Sequence, residues 1–227
     1  MSTSIRPCAP KSINELLRRV DDIAGLTVGD LASQYQFKAP KDLLREKGWI
    51  GQLIEWVLGA MAGSKPEPDF IDLGIELKTI PISYSGKPLE TTFVSVVPLK
   101  ELQGLTWQKS PVKKKLNHVL WLPILSERDI APEQRIIGSG FLWQPTITQK
   151  MQLQKDWEQQ IEIIALGEIE QINGKLGQVL QIRPKAANSK VLTDAIGPNG
   201  KIIQTLPRGF YLKTNFTGDI LKAQFGA

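Results

Sequence analysis

Pro68-Asp69-Phe70-Ile71-Asp72-Leu73-Gly74-Ile75-Glu76-Leu77-Lys78 carries more structural information than any other run in this chain. Side chains alternate between the two faces of a strand. Ile75, Leu77 and Thr79 therefore point to one face, which suits a core, and Glu76 and Lys78 share the other. A carboxylate and an ammonium on a strand otherwise suited to burial are costly unless the pair has a task or access to water. Asp69 lies seven positions before Glu76. On one straight strand the two would stand roughly 23 Å apart, at about 3.3 Å per residue. They can share a site only if the chain reverses between them, and Asp72-Leu73-Gly74 supplies turn chemistry for that. A hairpin bringing Asp69 next to Glu76 and Lys78 is expected.

Two carboxylates converging with a lysine suit metal-assisted hydrolysis of a phosphodiester. Magnesium prefers oxygen ligands and keeps several waters, so one or two carboxylates plus a substrate phosphate are enough. Lys78 could orient the attacking water, help deprotonate it, or balance charge on the pentacovalent phosphate. The residues alone leave those three roles open. They also leave open a plain salt bridge across one face of an edge strand.

Working outward, helices are expected before this run. Ser12 with Glu15 forms a capping-box pattern, and Thr27 with Asp30 marks a second start. A third helix is expected to begin near 40–42 and to run to about 61. Its residues Ile50, Leu53, Ile54, Val57, Leu58 and Met61 form one apolar stripe at helical period. Glu55 falls roughly 130° from the centre of that stripe. It is either a solvated flank residue or a third acid that reaches the metal site. Gly63 to Pro68 then breaks the helix.

Strands are expected over 75–80, 91–97, 119–125 and 135–143, and a long helix over 148–166 with Leu153, Trp157, Ile161 and Ile164 on one face. Two late strands, over 179–183 and 209–213, flank a loop or short helix over 185–200. No repeat or low-complexity tract interrupts the pattern. Helices around a mixed central sheet give an α/β or α+β fold.

Composition narrows the function classes. The 227 residues, 41% of them hydrophobic, suit one domain or two closely joined lobes. A single cysteine, Cys8, can neither staple the fold internally nor build a four-ligand zinc site with partners that are absent. The first ten residues lack an apolar signal region and no run approaches the roughly 18 apolar residues of a membrane span, so a cytoplasmic location is expected. The net charge of +5 is compatible with a polyanion partner and settles little. His118, the only histidine, opens the apolar run Val119-Leu120-Trp121 and is expected to be structural. Gly197-Pro198-Asn199-Gly200 is a turn signal, and no P-loop is present, so any ATP dependence must come from a partner.

Longer strings then carry a resemblance. Lys47-Gly48-Trp49-Ile50-Gly51, Leu58-Gly59-Ala60, Ala62-Gly63-Ser64-Lys65-Pro66-Glu67, Leu73 through Pro81, and Pro88-Leu89-Glu90-Thr91-Thr92-Phe93-Val94 resemble the MutH family of methyl-directed mismatch-repair endonucleases. So do Gln181 through Asn188 and Leu206 through Lys213. The family is related to type II restriction endonucleases of the PD-(D/E)xK superfamily. The resemblance spans nearly the whole chain, apart from its first dozen and last few residues.

The resemblance implies a restriction-endonuclease-like fold: a central mixed β-sheet flanked by helices, in two lobes around a DNA-binding cleft. It implies a single endonuclease domain, with a catalytic core over about 40–125 and DNA-reading elements over about 180–215. It also implies a magnesium-dependent hydrolase, with manganese able to substitute. Such an enzyme nicks the unmethylated strand of hemimethylated GATC, 5′ to the guanine, acts as a monomer, and is stimulated by MutL once MutS has found a mismatch.

Carried over residue by residue, Glu55, Asp69 and Glu76 bind metal, and Lys78 joins them in catalysis. Lys115, in Lys113-Lys114-Lys115, is an auxiliary basic group near the scissile phosphate. Lys47, Phe93, Arg183 and Tyr211 read DNA, with Lys185 and Arg208 on phosphates. An arginine fork can read guanine O6 and N7, and a residue packed against adenine N6 leaves no room for a methyl group. A restriction enzyme that cuts both strands at GATC is the alternative within the same chemistry. A non-catalytic DNA-binding module lies outside it. A phosphatase for small substrates fits poorly with basic and aromatic residues spread so far beyond the acids.

Overall fold

The computed structural model describes residues 5–37, 48–63, 65–186, 188 and 190–226. In chain order, the elements of the first part are α1 (Ile13–Ile23), α2 (Val28–Gln34), α3 (Trp49–Leu58), β1 (Glu76–Ile82), β2 (Thr92–Val96), α4 (Pro111–Leu116) and β3 (Val119–Leu125). There follow β4 (Ile136–Ile137), β5 (Phe141–Trp143), α5 (Ile147–Ala165), β6 (Leu180–Pro184), β7 (Thr193–Ile196), β8 (Ile202–Thr205), β9 (Arg208–Leu212) and α6 (Thr214–Phe225). They fall into two compact units. One holds residues up to 90 with 117–144 and the last three; the other holds 91–116 and 145–224. Residues 91–116, within the stretch expected to form the catalytic core, thus belong to the second unit.

In the first unit, β1 runs parallel to β3, with Glu76 opposite Val119 and Lys78 opposite Trp121. β4 and β5 each pair antiparallel with β3, which makes the sheet mixed. Leu77, Leu120, Leu122 and Ile124 meet Leu16, Val20, Leu31, Leu53, Ile54 and Leu58 in one buried cluster. The alternation read from the sequence holds here, with Leu77 in the core and Glu76 and Lys78 on the other face. The expected strand over 135–143 is two short pieces, because the register against β3 shifts by one residue between Ile137, opposite Ile124, and Phe141, opposite Trp121.

The helix starts are written in side chains. Ser12 Oγ accepts from the Glu15 amide at 3.2 Å, and Thr27 with Asp30 forms a full capping box. The third helix ends at Leu58, not near 61. Gly59 takes a left-handed conformation and the Ala60 amide turns back to Glu55 O at 2.8 Å, satisfying a terminal carbonyl. Its expected start over 40–42 lies outside the described residues.

In the second unit β9 is central, antiparallel to β2 on one side and to β6 on the other. α5 begins with a capping box at Thr146 and Gln149 and buries Leu153, Trp157 and Ile164. Asp156 on this helix is 2% exposed, and its Oδ2 accepts from the amides of Gln178, Val179 and Leu180 at 2.8, 2.7 and 2.9 Å. One carboxylate therefore fixes the start of β6. The segment expected to be loop or short helix over 185–200 contains β7, which forms a hairpin with β8 across the Gly197–Gly200 turn. Helix α6 had no expected counterpart either. Its apolar residues Phe216, Ile220 and Leu221 do follow helical spacing.

Candidate active site and DNA-reading face

The reversal expected between Asp69 and Glu76 is present. Phe70 and Ile75 bridge antiparallel, with hydrogen bonds of 2.9 and 3.3 Å in the two directions. A 3-10 turn over Ile71–Leu73 closes the hairpin on Gly74, at φ 64°. One more step of that register sets Asp69 opposite Glu76. Asp69 is 5% exposed, and its Oδ2 accepts from the Leu77 amide at 2.9 Å.

Strand geometry explains that bond. β1 lies at the edge of its sheet, and the Glu76 amide donates inward to His118 O at 3.0 Å. The next amide, that of Leu77, therefore faces the open edge, where the Asp69 carboxylate receives it.

Glu76 is 1% exposed and pairs with Lys78 Nζ through its Oε1. The pair lies on an edge strand, as the structural alternative requires, but it is buried rather than solvated. Taking two charges out of water costs several kcal/mol per ion, and mutual attraction seldom returns much more. Stability alone is a poor reason for this pair.

Glu55 sits half-buried on α3. Among the described residues no group of three or more His, Cys, Asp or Glu side chains is arranged to hold a metal ion. What fits a divalent cation is the pair Asp69 and Glu76. Their donors are hard carboxylate oxygens, and magnesium is held through one or two such groups with water and phosphate completing its shell.

The DNA-reading candidates lie in the second unit, except Lys47, which lies outside the described residues. Phe93 and Tyr211 are register partners on β2 and β9, and their rings meet edge to face with centroids 5.4 Å apart. Gln181 flanks Tyr211 on the other side, from β6. Lys185 Nζ stands 4.1 Å from the centre of the Phe93 ring, a cation–π contact. Arg183 is exposed, and its Nη1 donates to Thr91 Oγ1 at 2.9 Å, which fixes the direction of the guanidinium. Phe93, Tyr211, Arg183 and Lys185 thus form one basic and aromatic face.

Arg208 does not join them. Alternation along β9 turns it to the face opposite Tyr211. It is buried, with Nη2 3.3 Å from Glu170 Oε2 and 3.4 Å from Thr205 Oγ1. The expected phosphate contact is here one end of an internal ion pair. Lys115 is half-buried on α4, in the second unit. Asp156, Thr91 and Gln181 were not singled out from sequence. A buried acid on an otherwise apolar helix face was the one available signal, for Asp156.

The family described as DNA mismatch repair enzyme MutH matches residues 58–156. The DNA mismatch repair protein MutH of Shewanella woodyi is 56% identical over 220 residues, 97% of this chain and 95% of that protein. The protein of the same name from Vibrio cholerae is 54% identical over 217 residues, 96% of this chain and 98% of the relative.

Proposed function

This chain belongs to the MutH family of DNA mismatch repair enzymes, with a mixed α/β, restriction-endonuclease-like fold, and on that premise we propose a mechanism and specificity for its endonuclease activity. It is a magnesium-dependent hydrolase that nicks the unmethylated strand of hemimethylated GATC, 5′ to the guanine. Manganese substitutes for magnesium. The observation that supports this most is the pair of buried acids Asp69 and Glu76 with the part-buried Lys78 beside them, built on one hairpin at a sheet edge.

Asp69 and Glu76 hold the metal, and the family resemblance adds Glu55 as a further acid. Held there, magnesium would supply Lewis acidity toward the scissile phosphate and the attacking water. Lys78, already beside Glu76, orients that water or balances charge on the phosphate as the phosphorus–oxygen bond to the leaving strand breaks. Asp69 is held by the Leu77 amide, so it meets the reaction without reorganising. Lys115 is an auxiliary basic group for the phosphate.

Phe93, Tyr211, Arg183 and Lys47 read the recognition sequence, and Lys185 contacts phosphate. Arg183 supplies the guanine fork, and the aromatic pair leaves no space for a methyl on adenine N6. The chain works as a monomer in the cytoplasm; among the described residues no helix is long and apolar enough to cross a membrane. MutL activates it, and MutS and ATP act through MutL.

The test is the substitution Glu76→Gln, assayed for nicking of hemimethylated GATC with magnesium, MutL and ATP present. Loss of nicking with DNA binding retained supports the reading. Nicking at the parent rate removes Glu76 from the site, and cutting of both strands by the parent regardless of methylation would make it a restriction enzyme.

A further inference from the structure

Gly209 sits between Val96 of β2 and Arg183 of β6 in the register of the second unit. It is two residues from Tyr211, so its absent side chain belongs to the same face as the Phe93 and Tyr211 rings. A Cβ at this position would lie 2.9 Å from Phe93 Cε2 and 3.0 Å from Tyr211 Cε2, with Phe93 Cδ2 at 3.2 Å. Carbons at rest against one another keep about 3.5–4.0 Å. A methyl group here therefore moves one ring or both.

The backbone does not ask for glycine, since Gly209 is not among the positive-φ residues. Space does. Glycine inside a strand packs nothing and weakens the ladder, and it commonly marks a place where something approaches closely. What approaches here is the edge of two aromatic rings. Lys185 Nζ stands 4.1 Å from the centre of the Phe93 ring, so moving that ring also disturbs its cation–π contact and its edge-to-face contact with Tyr211.

We infer that Gly209 is a positioning residue that sets methyl discrimination: by lacking a Cβ it seats Phe93 and Tyr211 against the strand and keeps open, beside Arg183, the slot that takes the edge of the adenine in the recognition sequence. The inference rests on the proposed role of this face in reading GATC. A slot of fixed size rejects by volume, and one carbon accepted or refused by a pocket changes selectivity about 10–200-fold. Gly209 touches neither the base nor the phosphate. It acts through the two rings.

The test uses the full chain on circular DNA with one GATC, comparing nicking of the unmethylated strand with nicking of the N6-methyladenine strand. Gly209→Ala is expected to lower that ratio by about tenfold or more. In a background carrying both Phe93→Ala and Tyr211→Ala the same substitution should change the ratio by no more than about twofold, because both rings it would displace are gone. Equal effects in the two backgrounds overturn the inference. So does an unchanged ratio in Gly209→Ala when Phe93→Ala and Tyr211→Ala each alter it.

If instead neither aromatic substitution changes rate or ratio, the reading role of the face itself fails, and the inference falls with it. Should Gly209→Ala lower stability, its urea midpoint answers the same question. A loss relieved in the doubly substituted Phe93→Ala, Tyr211→Ala background confirms the ring contact, and an equal loss in both backgrounds refutes it.

Discussion

Asp69 accepts the backbone amide of Leu77 at 2.9 Å, across a hairpin that brings together residues eight positions apart. The bond satisfies an amide that the edge of the sheet leaves open. It also fixes a buried carboxylate opposite Glu76, on the strand that carries Lys78. One contact thus serves the backbone and aims the acid.

Those two services can be separated. Asp69→Asn keeps an oxygen for the Leu77 amide but lacks the charge that draws a cation. It should fold with a urea midpoint close to the parent and lose nicking. Asp69→Ala leaves that amide unsatisfied, at about 1–3 kcal/mol, and should lose both. A destabilised Asn variant with retained nicking would reverse the assignment.

Lys78→Ala should lower the nicking rate by about 10²–10³-fold, the usual loss when a group that stabilises developing charge is removed. DNA affinity should hardly change, because the ammonium is turned toward Glu76. Gel-shift and single-turnover measurements on one preparation separate the two. Equal losses in affinity and rate would make Lys78 mainly a binding residue.

DNA binding should weaken steeply with salt, with a log–log slope of about −0.9 for each phosphate neutralised. Lys185→Ala should make that slope shallower by about one. Arg208→Ala should leave the slope unchanged and instead lower stability, because Arg208 is paired internally with Glu170. A slope change in Arg208→Ala would return it to the phosphate contacts.

Asp156→Ala should cost roughly 3 kcal/mol or more in urea denaturation, since three amides lose one acceptor. Asp156→Asn should cost less, because an amide oxygen still receives them without the charge. Comparable losses from the two substitutions would mean that side-chain volume, not hydrogen bonding, holds the start of β6.

The hairpin was legible because turn chemistry and period-two alternation both occur within eleven residues, so local rules suffice. Helix starts at Ser12 and Thr27 were legible for the same reason, whereas the capping box at Thr146 and Gln149 was not read. The sequence could not show that Arg208 turns inward, because that depends on Glu170, 38 residues away in the chain. Nor could a helical wheel choose between the two readings of Glu55, because that choice depends on side chains brought in from other elements. The β7–β8 hairpin was missed since its strands are short and half-exposed, and their alternation is weak over four residues each. Gly209 looked unremarkable in sequence. Its meaning lies in two rings that approach it from a neighbouring strand and from its own.

The most direct test is magnesium-supported nicking of circular DNA carrying a single GATC, each strand methylated in turn, with MutL and ATP present. The parent chain should cut only the bare strand, and the Glu76→Gln chain should bind the same DNA without cutting either. Undiminished cutting by Glu76→Gln would contradict the site proposed at the Asp69–Glu76 hairpin.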